Sequence, residues 1–388
     1  MTPTVLIHVQ HLLGIGHLKR AAAIASALQA RGAHVVLASG GVPVPQVEDA
    51  IARDGVVVAR LPAARTADVH FSQVLDEAGR PIDAAWQERR RETLLQLFAE
   101  TAPDAIVTEM YPFGRRAFRF ELLPLLEAAK ARAKPPVIAS SVRDILVNKA
   151  KPGRAEEIAA LVQRCYDIVL VHGDPNLIRF DQTFPQTRAI ADRIRYTGYV
   201  TDRSIAAGPA DRAGGEILVS AGGGAVGFAL LQAAIAARPL AREGQRPWRL
   251  ITGGNLPEAE AAELAGAAGR QQGLALERFR SDFTDLLTRC RVSVSQGGYN
   301  TVLEILATRT PAVIVPFAEG EESEQTDRAR LLADKGLLHL LPQSALTPQR
   351  LAAAIDAAAA TPPPVLAIDL AGAARAAELI LQSIEARR

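Results

Sequence analysis

Three consecutive stretches decide the fold: Thr4-Val-Leu-Ile-His-Val9, Leu12-Leu-Gly-Ile-Gly16, and Leu18 to Arg31. The first has the β-branched and aliphatic content of a strand, and the second is a glycine turn. The third sets Leu18, Ala21, Ala22, Ala25, Leu28 and Gln29 at the i, i+3, i+4 and i+7 offsets of one helical face. Gly32 ends that helix, as glycine often does just beyond a helix C-terminus. His34 to Leu37 returns as a second strand. Strand, helix and strand of this length make a parallel, right-handed βαβ unit.

The same alternation continues outward. Gly55 to Ala59, Ala105 to Glu109, Val137 to Ser141 and Asp167 to His172 read as further strands, with helices over Ala84 to Glu100 and Arg116 to Arg132. Around Thr197 to Gly215 large apolar residues give way to small ones, which marks a domain boundary. Alternation then restarts with strands at Glu216 to Ser220, Trp248 to Thr252, Leu274 to Phe279, Val292 to Gln296, Ala312 to Pro316 and Leu337 to Leu341. Thr361-Pro-Pro-Pro364 interrupts the chain before a last helix from about Ala367 to Glu385. The expectation is α/β, with two Rossmann-like domains whose parallel sheets face each other. Residues 1–199 form the first domain, 200–214 a linker and 215–365 the second, and the helix of 366–388 packs back on the first.

A length of 388 residues suits two domains of ordinary size. With 48% hydrophobic and 22% charged residues, the chain has the globular mixture rather than a disordered one. Lys plus Arg is 44 and Asp plus Glu 42, a balance of +2, too even for a protein that grips nucleic-acid phosphates. Aromatics at 5% leave few platforms for stacked bases. Cys165 and Cys290 form no C-x-x-C or zinc pattern and read as buried thiols in a reducing compartment. No signal-peptide pattern precedes Thr4, and no apolar run approaches the ~18 residues that span a bilayer. A cytoplasmic location is expected, with peripheral membrane contact left open.

In an open parallel sheet, ligands bind at the carboxyl ends of the strands, so the loops that follow strands matter most. Four carry glycines: Leu13-Gly14-Ile15-Gly16-His17-Leu18-Lys19-Arg20, Ser220-Ala221-Gly222-Gly223-Gly224, Thr252-Gly253-Gly254-Asn255, and Ser295-Gln296-Gly297-Gly298-Tyr299-Asn300-Thr301. A helix that starts behind such a turn offers unpaired N–H groups and a positive dipole end to phosphate. Each loop is equally readable as an ordinary turn. Gly14-x-Gly16 lacks the third glycine of the dinucleotide fingerprint, with Lys19 in its place. No P-loop pattern occurs anywhere, so dehydrogenases and P-loop kinases are disfavoured. In Gln296 to Glu304, the glycines, Asn300 and Thr301 suit a diphosphate, and Glu304 one turn later can accept from two ribose hydroxyls. Capping for Asn300 and Thr301, and a plain helical charge for Glu304, remain the alternatives.

Gly297-Gly-Tyr-Asn-Thr-Val-Leu-Glu-Ile-Leu-Ala307, Thr310-Pro-Ala-Val-Ile-Val-Pro-Phe317 and Glu324-Gln325-x-x-Arg328-Ala329 together resemble the donor domain of GT-B glycosyltransferases, most of all the family of the peptidoglycan N-acetylglucosaminyltransferase. The resemblance covers roughly residues 215 to 341. It implies that Gly297, Gly298, Asn300 and Thr301 hold a nucleotide diphosphate, and Gly14, Gly16, Gly222, Gly223 and Gly224 of the strand-end turns are taken as further nucleotide-sugar contacts. It also implies that Glu304 holds the ribose, Glu324 and Gln325 hold sugar hydroxyls, and the helix opening at Phe283 meets the base. Gly14-x-Gly16-His17-x-x-Arg20 resembles the same superfamily and also the UDP-sugar hydrolases of pseudaminic acid synthesis, where the histidine is catalytic. Pro103 to Arg116, with Ser141-Val-Arg-Asp144, looks like a bacterial group of predicted glycosyltransferases.

The expected activity is an inverting transfer from a nucleotide sugar, UDP by preference, to a glycan, lipid-linked or small-molecule acceptor, with His17 as general base and no metal or cofactor. Gln296 stands where retaining relatives place a second glutamate, eight residues before the ribose glutamate, and no Asp-x-Asp metal motif occurs. A nucleotide-sugar hydrolase and a UDP-sugar epimerase are the alternatives. Glu109, Arg115 and Asp144 are the acceptor-side candidates, and Glu109 and Asp144 could also orient His17. Arg115, Arg116 and Arg119 among Phe113, Phe118 and Phe120 read either as an anion-binding surface or as a solvated helix face. Gln87 to Glu92, with Arg89, Arg90 and Arg91, reads as a solvated helix face. His8 and His11 lack the company of a metal site, and His34, His70, His172 and His339 read as core or surface histidines.

Overall fold

Strict alternation in the first strand sets up the first unit. In β1 (Thr4–Val9), Val5, Ile7 and Val9 point into one core and Leu6 into the other. On the first face they meet Leu18, Ile24 and Leu28 of the helix Gly16–Gln29. Burial of each such side chain stabilises by about 1.5 to 3 kcal/mol. The computed structural model describes every residue except 1, 13, 67–72, 147–151, 202–204, 206–210, 223–225, 255, 281, 318–323 and 365–367. Gly223, Gly224 and His70 therefore lie outside the described residues.

The chain divides into two compact units, Met1–Asp202 with Asp369–Arg388, and Arg203–Ile368. The first holds β1, β2 (His34–Gly41), β3 (Val57–Thr66), β4 (Val74–Asp76), β5 (Ala105–Glu109), β6 (Val137–Arg143), β7 (Ile168–His172) and β8 (Ile194–Tyr196). Their order across the sheet is β4-β3-β2-β1-β5-β6-β7-β8, parallel except for the antiparallel pair β3 and β4. The short edge strands β4 and β8 are absent from the sequence reading, because three residues carry too little periodicity to register. The helix expected over Arg116 to Arg132 begins instead as a 3₁₀ turn, Arg116–Phe118, and becomes α-helical over Arg119–Lys130. Arg115 stands before it in the left-handed region, at φ 58°.

The second unit holds β9 (Ile217–Ser220), β10 (Trp248–Ile251), β11 (Leu274–Glu277), β12 (Val292–Ser295), β13 (Ala312–Ile314) and β14 (His339–Leu340), all parallel, in the order β11-β10-β9-β12-β13-β14. In both sheets the strand order reverses beside the first strand, at β1/β5 and at β9/β12. Crossovers on opposite sides of such a point leave a crevice at the strands' carboxyl ends.

The helix Gly372–Arg387 belongs to the first unit. Ala376, Ala377, Ile380 and Ile384 join the core of β1 and the helix Gly16–Gln29. Gly372 permits the approach, since a Cβ there would lie 2.6 Å from the carbonyl oxygens of Gly198 and Tyr199. Ile380 is fully buried, so Ile380→Ala is expected to lower the unfolding free energy by about 2 to 5 kcal/mol in denaturant titration. An unchanged midpoint would contradict this packing.

Candidate active site

In the first unit the β1/β5 crevice gathers polar residues from four strand ends. The helix that follows β1 carries His17 and Arg20 in its first turns, β5 ends on Glu109, β6 ends with Ser141 and Arg143, and β7 ends on His172. Glu109 is in register with Ser141, and Arg143 with His172. Each polar residue closes an otherwise buried strand, so the sheet lines them up side by side.

Glu109, 1% exposed, is the hub. Its Oε1 accepts from His17 Nδ1 at 2.9 Å and from Arg20 Nη2. Its Oε2 accepts from the Ser141 hydroxyl and, at 3.4 Å, from Arg20 Nε. On the far side of the imidazole, Arg143 Nη2 lies 2.9 Å from His17 Nε2. A guanidinium only donates and a carboxylate only accepts. Arg20 Nη2 also lies 3.2 Å from Nδ1, but the two shorter contacts, carboxylate on Nδ1 and guanidinium on Nε2, favour the proton on Nδ1 and the lone pair on Nε2.

Burial, followed by the positive charges of Arg115, Arg143 and Arg20 and by His11, holds the pKa of His17 well below the ordinary imidazole value. The residue is a neutral base at neutral pH. His172, behind Ser141, is pushed down to about 3 by burial and by Arg20, against the pull of Glu109. Both folded values lie below the unfolded value near 6.5, so the unfolded chain takes up protons first on acidification. The stability these groups contribute is complete above pH 6.5. It is lost as the pH falls below that value, for His172 down to about 3.

Of the three acceptor-side candidates, the structure brings Glu109 and Arg115 toward His17. Arg115 Nε donates to the Gln10 carbonyl at 2.8 Å, and burial and the neighbouring Arg143 depress its pKa to about 10. Asp144 is fully buried elsewhere, accepting from the Tyr199 hydroxyl at 3.0 Å and from the Ile145 amide at 2.9 Å. Gly14 and Gly16 have open space where a Cβ would stand and no positive φ, so nothing within the unit requires glycine there.

Arg90 corrects the reading of Gln87 to Glu92 as a solvated face. It is fully buried and stacks 4.9 Å from the Phe118 ring centroid. Its Nε donates to Glu121 Oε2 at 2.6 Å, and its Nη2 to Gln10 Oε1 at 2.6 Å. His8 Nε2 meets the other Glu121 oxygen at 3.1 Å. The other arginines divide: Arg91 pairs with Glu88 on the helix surface, and Arg116 and Arg119 pair with Glu157. Phe113 and Phe118 are core residues.

In the second unit, Gly297 sits at φ 83° with Ile314 Cγ2 only 2.6 Å from where a Cβ would be, so glycine is compelled by both conformation and space. Gly298 is the N-cap of the helix Tyr299–Thr308, which has no side-chain cap. Asn300 and Thr301 lie inside its first turn rather than capping it, Asn300 exposed and Thr301 half-buried. Glu304, also half-buried, accepts from Thr284 Oγ1 at 3.1 Å. Thr284 follows Phe283 in the helix Phe283–Arg289. Glu324 is buried and accepts from Arg328 Nη1 at 3.0 Å, and Gln325 Oε1 accepts from the Phe317 amide at 3.2 Å. Gly222, at φ 69°, turns the chain after β9. The hydroxyls of Ser220 and Ser295, in register at the ends of β9 and β12, are buried with no hydrogen-bond partner among the described residues. Among the described residues no group of three or more His, Cys, Asp or Glu could hold a metal ion, and no helix is long and apolar enough to cross a membrane.

This architecture is that of the GT-B glycosyltransferases. The calicheamicin glycosyltransferase CalG4 aligns over 100% of this chain and 95% of its own, with TM-score 0.61 and 16% identity. MurG of Acinetobacter baumannii aligns over 98% and 100%, with TM-score 0.60 and 17% identity. Residues 218–378 match the glycosyltransferase family 28 C-terminal domain. The chain is similar to the UDP-N-acetylglucosamine--N-acetylmuramyl-(pentapeptide) pyrophosphoryl-undecaprenol N-acetylglucosamine transferases of Methylibium petroleiphilum, 33% identical over 36% of this chain and 38% of that one, and of Alkalilimnicola ehrlichii, 34% identical over 40% and 44%. Each of these two matches spans less than half of the relative's length.

Sequence reasoning singled out His17 but passed over Ser141, His172 and Arg143 as a set. The available signal was a polar residue closing each apolar strand. Removing one cation from around His17 eases its protonation, so Arg115→Gln is expected to raise the His17 pKa, followed by the imidazole resonances in an NMR pH titration. An unchanged or lower value would contradict the electrostatic account.

Proposed function

We propose that this chain is an inverting, metal-independent glycosyltransferase that moves a sugar from a nucleoside-diphosphate donor, UDP-linked by preference, to a hydroxyl or amine of its acceptor. The observation that carries the reading is the His17–Glu109 pair at 2.9 Å, which turns Nε2, 2.9 Å from Arg143 Nη2, away from the carboxylate at the carboxyl ends of β1 and β5. The family 28 match over the second unit supports the donor class.

In this reading the acceptor proton passes to His17 Nε2, the freed electron pair forms the bond to the anomeric carbon, and the bond from that carbon to the diphosphate oxygen breaks. The departing diphosphate is received by the uncapped start of the helix Tyr299–Thr308, where N–H groups and the helix dipole favour negative charge. Glu304 holds the ribose, Glu324 and Gln325 the sugar hydroxyls, and Phe283 opens the helix beside the base. Attack by the acceptor itself inverts the anomeric centre. Gln296, where a second carboxylate would serve retention, instead donates its amide to the Val226 carbonyl at 2.9 Å. The names of the matched relatives carry a lipid-linked acceptor, and that class, with contact at the membrane surface, is the first to test.

His17→Ala is expected to lower turnover by about 100-fold or more, the ordinary scale for a lost general base, while UDP binding persists. In thermal unfolding, UDP at roughly 100 times its dissociation constant adds about 2.7 kcal/mol to the folded state, and Glu304→Ala is expected to reduce that gain. Full turnover in His17→Ala would remove the base from the mechanism. Stoichiometric free sugar formed without an acceptor would establish hydrolysis in place of transfer.

A further inference from the structure

The pair His17–Glu109 does not end at the carboxylate. Ser141 Oγ touches Glu109 Oε2 and lies 2.8 Å from His172 Nε2, and His172 Nδ1 lies 2.9 Å from Thr197 Oγ1. All five groups belong to the first unit. Four of them are buried, with Ser141 1%, Glu109 1%, His172 0% and Thr197 0% exposed.

Hydrogen-bond valence fixes the direction of the links from His172 through Ser141 to Glu109. Ser141 has one proton, and its contact with a carboxylate oxygen requires that proton to lie between them. Ser141 Oγ must then accept from His172, so the His172 proton is on Nε2. Burial beside Arg20 keeps His172 neutral, so its Nδ1 carries a lone pair beside Thr197 Oγ1, whose one proton also faces the Gly198 carbonyl at 2.7 Å. The donors run His172 to Ser141 to Glu109 from one side, and from His17 Nδ1 to Glu109 from the other. Both arms converge on an ionised carboxylate. A chain of converging donors cannot pass a proton along its length, so this one acts as a clamp and not as a conducting wire.

We propose that Ser141 and His172 are positioning residues for His17: they hold the second oxygen of Glu109 so that the first keeps the His17 proton on Nδ1 and the lone pair on Nε2. The consequence for turnover rests on the reading of His17 as base, whereas the tautomer is a property of the protein alone. The charged and titratable groups that face His17 are Glu109 of β5, Arg143 of β6, Arg115 after β5, His11 after β1 and Arg20 on its own helix. Those that face His172 are Glu109 and Arg20.

The test uses the full chain with ¹⁵N-labelled histidine, in wild type, Ser141→Ala, His172→Leu and His172→Gln, the last keeping an amide donor where Nε2 stands. Two quantities are read: the protonated nitrogen of His17 at neutral pH, and the pH of half-maximal kcat/KM on the acid side. Ser141→Ala and His172→Leu are expected to release the carboxylate from Nδ1, to populate the Nε2–H tautomer and to move the acid limb down by about half a pH unit. His172→Gln is expected to restore both toward wild type, a rescue that a merely structural role would not give. Wild-type tautomer and acid limb in both Ser141→Ala and His172→Leu would overturn the proposal. If His172→Leu does not fold, Ser141→Ala, which deletes one oxygen, decides alone. Full turnover in His17→Ala would sink the base assignment while leaving the tautomer result to judge the clamp.

Discussion

A carboxylate that is 1% exposed governs the first unit. Burying such a group costs several kcal/mol unless its lone pairs are filled. Glu109 fills them with the His17 imidazole and Arg20 guanidinium of the helix after β1 and the Ser141 hydroxyl of β6. This requirement fixes the rotamer of His17, the tautomer of its ring and the placement of β1, β5 and β6 at their carboxyl ends. The surrounding guanidinium groups of Arg115, Arg143 and Arg20 oppose protonation of the ring. The carboxylate orients the imidazole, and the cations keep it unprotonated.

The second unit handles charge by a different means. Its described loops place no such ionic hub at β9 and β12. They offer a helix start without a side-chain cap, a compelled glycine at 297, and two buried serine hydroxyls with no partner among the described residues. Backbone amides and a helix dipole favour an anion without a fixed countercharge. This division suits a reaction in which one partner must be deprotonated and the other must shed a diphosphate.

Much of this was legible in the residues, for stated physical reasons. The strand composition of Thr4 to Val9 and the helical offsets from Leu18 placed the first βαβ unit, and apolar runs placed most other central strands to within a few residues. The edge strands β4 and β8 escaped because three residues show no period. The site was partly legible: His17 and Glu109 stand after strands, where a parallel sheet puts ligands. The partnership of Glu109 with Ser141, Arg143 and His172 was hidden, because strand register is a tertiary fact. Arg90 escaped for the same reason. Its neighbours in sequence are solvated charges, but its partners Glu121 and Gln10 come from distant segments. Asp144 shows the converse, a carboxylate beside the site in sequence whose bonds go to Tyr199.

The most direct test of the central claim is the unfolding free energy of Glu109→Gln relative to wild type at neutral pH. With the carboxylate gone, the Arg20 guanidinium stays buried without its countercharge, and the account predicts a loss of about 3 to 5 kcal/mol. A variant as stable as wild type, or more stable, would contradict the claim that this one buried charge holds the site together.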